Sequence, residues 1–138
     1  MGKRAIVLCG VSGTGKTHAR LNDPELKGLP HFDIADVYRE FPEFDWPTAL
    51  AALCKRLRGA FQNHPAVVVE GYFLPGTPSR RILDADLRVA GASVEYRYFW
   101  APFEVCQERI AAQWERGEIP DAECRRRIEL LKLCWKPQ

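Results

Sequence analysis

The sequence predicts an α/β domain in which a short parallel sheet of about four strands lies between layers of helices. Three observations carry this. Apolar or alternating runs of strand length recur along the chain and are separated by helical patterns. A glycine-rich turn joins the first of these runs directly to a helix. The 138 residues, 46% hydrophobic and 28% charged, suffice for one core and no second, so a single domain over residues 1–138 is expected.

The elements follow in order. Ala5 to Leu8 is a continuous apolar run, as a central strand covered on both faces requires. Gly10-Val11-Ser12-Gly13-Thr14-Gly15-Lys16-Thr17 comes next, and the helix it opens stops near Asn22-Asp23-Pro24, because the residue before proline is pushed out of the helical region. His31 to Ile34 reads as a short second strand whose far end delivers polar residues. Asp45 and Thr48 flank Pro47 and offer caps to a helix whose apolar face is Leu50, Leu53, Cys54, Leu57, Ala60 and Phe61. Lys55, Arg56 and Arg58 lie largely off that face.

Ala66 to Val69 is the third strand, ending in Glu70-Gly71. Thr77-Pro78 predicts a cap and first helical residue, with the helix running to about Ala90 and stopping at Gly91. Val94 to Trp100 is the fourth strand. Phe103, Cys106, Ile110 and Trp114 form the buried stripe of the next helix, with Arg109, Gln113 and Arg116 beside it and Gly117 at its end. The last helix opens at Pro120 and turns Cys124, Ile128, Leu131 and Trp135 inward. Arg125, Arg126 and Arg127 are consecutive, cannot share one helix face, and read as a mixed solvent-facing cluster.

Composition narrows the functional classes. No apolar run approaches a membrane span and no signal-peptide core precedes the first strand, so a soluble, cytoplasmic protein without membrane partners is expected. Five cysteines without a C-x-x-C pair read as reduced, mostly buried thiols. A formal charge of +2 favours no partner class.

The chemistry concentrates in residues 10–17, which fit G-x-x-x-x-G-K-[ST] at every fixed position. A loop that wraps a phosphate chain turns its N–H groups inward, and Gly10, Gly13 and Gly15 allow this without steric cost. With Ser12 and Thr14 they form the expected nucleotide cradle. Lys16 is expected on the β and γ phosphates of ATP, or of GTP in its place, and the Thr17 hydroxyl on Mg²⁺. Such a loop is common to kinases, switches and motors. A GTPase needs a base-reading N-K-x-D, which is absent, and a motor ATPase normally needs more chain. A small kinase needs a carboxylate for the acceptor hydroxyl, a cation for the acceptor and lid arginines for the transferred group. Ligands of open α/β sheets sit at the carboxyl ends of the strands, which puts Asp33, Asp36 and Arg39 in the right neighbourhood.

GVSGTGKT, Asp36-Val37-Tyr38-Arg39, VVVEG with Leu74 and Arg80-Arg81, and Arg116-Gly117 followed by Pro120 resemble the kinase domain of phage-type polynucleotide 5′-hydroxyl kinases and their zeta-toxin-like relatives. The resemblance implies a three-layer, kinase-type P-loop fold and ATP- and Mg²⁺-dependent transfer of the γ-phosphate to a hydroxyl. The expected acceptor is a polynucleotide 5′ end or modified base. A nucleoside, nucleotide or other small metabolite is a second reading, and a regulatory nucleotide-binding module without transfer a third. The resemblance places Lys16 and Thr17 on nucleotide and metal, makes Asp36 the general base with Asp33 as its rival, sets Arg39 on the acceptor's phosphate, and gives Arg116 the lid role; Arg109, two turns earlier, is expected on the nucleotide, and the second lid arginine is left open. Glu70 replaces the family's usual aspartate. Tyr72 and Phe73 offer a stacking surface or a hydrophobic lid.

Overall fold

The computed structural model describes residues 2–138. Its elements are β1 (Lys3–Cys9), α1 (Lys16–Asn22), β2 (His31–Asp33), α2 (Ile34–Glu40), α3 (Trp46–Ala60), β3 (Ala66–Gly71), α4 (Pro78–Val89), β4 (Ala92–Tyr98), α5 (Phe103–Glu115) and α6 (Asp121–Cys134). The four strands form one parallel sheet in the order β2-β3-β1-β4, as the alternation of strands and helices predicts. β1 is central, and its five residues from Ala5 to Cys9 are fully buried. The four-stranded α/β architecture expected from the sequence is thus the one observed.

Alternation along β1 divides the core. Ala5, Val7 and Cys9 join Val67 and Val69 of β3 under α3 and α4, where Leu50, Leu53, Leu57, Leu83 and Leu87 complete the main cluster. Ile6, Leu8 and Val68 face the opposite side, where Leu26, Leu29 and Phe99 cover them. The cover on this second face is thin, and α1 buries none of its own residues. A third cluster joins α5 and α6 through Cys106, Ile110, Ile119 and Leu131 and seats them beside Val11 of the glycine-rich loop.

Several boundaries differ from the expectation. Ile34 starts α2 rather than ending β2, because the Asp33 carboxylate accepts a hydrogen bond from Ala35 N at 2.9 Å and caps a seven-residue helix. Asp45, not Thr48, caps α3, accepting from Thr48 N at 2.8 Å. β4 ends at Tyr98, and Trp100 lies beyond it with its indole N–H on Lys136 O at 2.9 Å. Trp114, expected in the core, is half exposed and donates to Asp121 Oδ1 at 2.6 Å. Its Cβ sits on the buried stripe, but the large ring ends over the α5–α6 turn. All five cysteines are free thiols: Cys9, Cys54 and Cys106 are buried and Cys124 and Cys134 half-buried.

Candidate active site

The carboxyl ends of β1, β2 and β3 open into a cavity of about 1120 Å³. The glycine-rich loop forms one wall. Gly13 has φ +83°, and a Cβ there would sit 2.7 Å from Cys106 O of α5, so the residue satisfies both an unusual backbone conformation and a close helix approach. Gly10 and Gly15 also have positive φ, and Thr14, nearly buried, donates from Oγ1 to Val11 O at 2.9 Å. Lys16 Nζ donates to Gly10 O and, at 3.2 Å, to Val11 O, so the ammonium lies within the loop's own concavity. Burial there pushes its pKa down to about 8, against the pull of Asp33 and Glu70. Ser12 Oγ is 3.2 Å from the Tyr72 hydroxyl, and the Tyr72 ring centre is 5.4 Å from Lys16 Nζ.

The far wall comes from α2, α3 and the end of β3, which contribute Asp33, Ile34, Tyr38, Trp46, Leu50 and Tyr72. Phe73 is buried and held at φ +30°, its ring filling the space that a side chain at Gly71 would need. β2 pairs with β3 so that Asp33 faces Glu70 across the ladder. Glu70 is only 1% exposed, with Arg20 Nε at 3.4 Å. Burial, and then the neighbouring Asp33 carboxylate, push its pKa up to about 7.

Asp36 and Arg39 lie elsewhere. Neither lines the main cavity; both line a smaller depression between α2 and α3, which Asp33 also borders. Asp36 Oδ1 accepts from Arg39 Nη1 at 2.7 Å, and Arg39 also grips Glu123 of α6 with Nε and Nη2, both at 2.9 Å. The reason is helical geometry. Asp33 caps α2 and faces the cavity, whereas Asp36 and Arg39, one turn apart, share a different face. Of the two acids, Asp33 and not Asp36 borders the cavity that the glycine-rich loop lines.

α5 and α6 close the remaining side. Arg109 donates from Nη1 to Gly13 O at 2.9 Å, and Arg116, which pairs with Glu118 at 3.0 Å, also lines the cavity. Arg126 and Arg127, read from the sequence as solvent-facing, line it too, while Arg125 remains exposed. Arg127 pairs with Glu123 at 2.6 Å and donates to Gln113 Oε1 at 3.2 Å. Burial pushes the Glu123 carboxyl up, but Arg39, Arg127 and Arg126 outweigh it and hold it below its ordinary value. Tyr38 and Trp46 were missed as wall residues. The signal for Arg127 was the acidic Glu123 four positions earlier on the same helix face, and none marked Arg126.

The comparisons reflect this architecture. No family model and no curated protein matches the chain. Among solved structures, a protein from Chloroflexus aurantiacus with a provisional kinase designation superposes with a TM-score of 0.66 at 19% identity, over 94% of this chain and 75% of that one. The fold is that of the P-loop kinases. The APS kinase of Mycobacterium tuberculosis, bound to AMPPNP and APS, shares this P-loop kinase fold with a TM-score of 0.57 at 21% identity, over 86% of this chain and 77% of that one. A chain of the Pnkp1/Rnl/Hen1 RNA repair complex matches with a TM-score of 0.58 at 19% identity, over 96% of this chain and 45% of that one. Neighbours with the P-loop kinase fold thus include both a small-molecule kinase and a component of an RNA repair assembly.

Donor and metal fit what this chain offers. The loop's positive-φ glycines leave a concavity that a cation of this chain fills. Among the described residues no cluster of three or more His, Cys, Asp or Glu forms an all-protein metal cage. That suits Mg²⁺, which keeps waters and takes phosphate oxygens, with the exposed Thr17 as protein donor. Among the described residues no helix is long and apolar enough to cross a membrane.

Proposed function

We propose that the protein is an ATP- and Mg²⁺-dependent phosphotransferase acting on a hydroxyl acceptor. One observation carries this reading: the phosphate loop and the Asp33 carboxylate line the same cavity, while Asp36 does not. Lys16 leaves its loop carbonyls for the donor's β and γ oxygens, and Thr17 would hold a Mg²⁺ ion, whose chemistry would be to neutralise phosphate charge. Asp33, fixed as the α2 cap, aligns the acceptor hydroxyl and takes its proton. Glu70, paired with Asp33 across the β2–β3 ladder, is buried beside it. Arg109 and Arg116 stand on the donor side, where charge develops in a loose transition state.

The acceptor reading is a polynucleotide 5′ end or modified base, supported by the flat walls of Tyr72, Tyr38 and Trp46, on which bases stack. A small hydroxyl-bearing metabolite is the second reading, favoured by the apolar contribution of Ile34, Leu50 and Phe73 to the same cavity. The test is transfer of labelled γ-phosphate from ATP to an acceptor panel of 5′-hydroxyl oligonucleotides, nucleosides and small alcohols. Label on any member supports a kinase, and stoichiometric ATP binding without transfer to any of them overturns it.

A further inference from the structure

Six ionic side chains surround the α2–α6 side of the cavity, and they divide unequally. Arg39 makes three charge-assisted hydrogen bonds, to Asp36 and to both oxygens of Glu123, and does not face the cavity. Arg127 is neutralised by the same Glu123, whose side chain is 4% exposed. Asp36, Arg39, Glu123 and Arg127 thus form a closed network with no net charge. Asp33 caps α2 through Oδ1 and is the proposed base. Arg126 differs from all of them. It lines the cavity, makes no ion pair among the described residues, and holds its guanidinium 5.2 Å from the centre of the Tyr38 ring, another wall residue. Stacking on Tyr38 restricts the guanidinium while leaving its edge N–H groups free to donate.

We propose that Arg126 is the anion-binding residue of the acceptor half of the cavity, and that the acceptor carries a phosphate or carboxylate close to the hydroxyl that reacts. The inference rests on reading the cavity as a phosphotransfer site. It moves the acceptor-clamp role from Arg39, whose charge is spent on two carboxylates, to a cation that has none. Glu123 occupies Arg127, the other cation that α6 brings to this wall, and leaves Arg126 as the one without a carboxylate partner. An acceptor without an anionic group leaves Arg126 unpaired and gains nothing from it.

The experiment separates the donor and acceptor halves. Protein saturated with AMPPNP is titrated with inorganic phosphate at constant ionic strength, following the Tyr38 ring by NMR. Saturable binding that weakens about tenfold or more in Arg126→Ala and is unchanged in the neighbouring Arg125→Ala is the expected result. Absence of saturable binding, or equal binding by wild type and Arg126→Ala, overturns the proposal. The same titration with acetate tells the two anions apart: a response to phosphate alone assigns a phosphorylated acceptor, and a response to both admits a carboxylate, each with Arg126 in the stated role. If AMPPNP itself does not bind, the phosphotransfer reading fails separately. Phosphate is then titrated into the free protein against Lys16→Ala: binding lost with Lys16 but kept without Arg126 overturns the inference, and the reverse upholds it.

Discussion

Asp33 and Glu70 are direct partners across the β2–β3 ladder, so two carboxylates leave the same face of the sheet beside the phosphate loop. One lines the cavity and caps a helix, and the other is buried behind it. Burial and the neighbouring Asp33 carboxylate hold Glu70 toward its neutral form, and the proposed base is the accessible Asp33.

Replacing the base should abolish chemistry without abolishing binding. Asp33→Asn keeps a capping oxygen and is expected to lower phosphate transfer by about 10²- to 10⁴-fold with the Kd for AMPPNP unchanged, whereas Asp36→Asn should cost less than about tenfold. Single-turnover transfer and nucleotide titration on both variants check this, and equal losses would return Asp36 to the role.

Glu70 makes stability depend on pH in a stated direction. Its folded pKa is raised to about 7 from an ordinary value of 4.5, so its contribution is full below about 4.5 and is lost as pH rises through about 7. Glu70→Gln should therefore gain on wild type steadily across that window. Urea midpoints of the free protein at pH 4.5, 6 and 8 measure it, and a constant difference refutes it.

The loop glycines should separate by cause. Gly13→Ala meets Cys106 O at 2.7 Å and Cys106 Cα at 2.8 Å in addition to φ +83°, whereas a Cβ at Gly15 meets nothing within 4 Å and bears only the strain of φ +98°. Chemical denaturation should show about 2–3 kcal/mol lost for Gly13→Ala and about 1 kcal/mol for Gly15→Ala.

The α2–α6 network should be stiff at Glu123 and soft at Asp36. Glu123→Ala strands two arginines and is expected to cost about 3 kcal/mol, the low end for a broken buried pair, because Arg39 is 42% exposed and regains water. Asp36→Ala removes an exposed partner and should cost under about 1 kcal/mol. Equilibrium unfolding of the two variants compares them.

Ionic strength should distinguish the acceptor classes. Binding of a single-stranded oligonucleotide weakens with a log–log slope of about −0.7 per phosphate neutralised, and a small acceptor carrying one anionic group gives a slope near or below that single unit. A titration at several KCl concentrations reads the slope directly.

The sheet and the phosphate loop were legible because their signals are local: an unbroken apolar run, glycines where φ must be positive, and proline or glycine at helix ends. The acid pair of the site was half legible. Asp33 and Asp36 both follow the second strand closely in sequence, and the cap at Ala35 N goes with the one that borders the cavity. That choice follows from where β2 stops, a boundary read one residue too far toward Ile34. Arg126 and Arg127 escaped because three successive arginines look solvated, whereas the buried Glu123 holds Arg127 and Arg126 lies over the Tyr38 ring. Trp114 misled for the opposite reason, since helical spacing fixes where a Cβ points but not where a nine-atom ring ends.

The closeness of Gly13 to Cys106 has a mechanical corollary. With the loop's backbone resting on the first turn of α5, and Arg109 one turn on anchored to Gly13 O, donor cradle and helix base form a single rigid body. Ile110, fully buried, extends that body along the helix. Arg116, which caps the end of that same helix, then reaches into the cavity only as far as its own side chain extends, and a bend at Gly117, with φ +72°, swings α6 against this body.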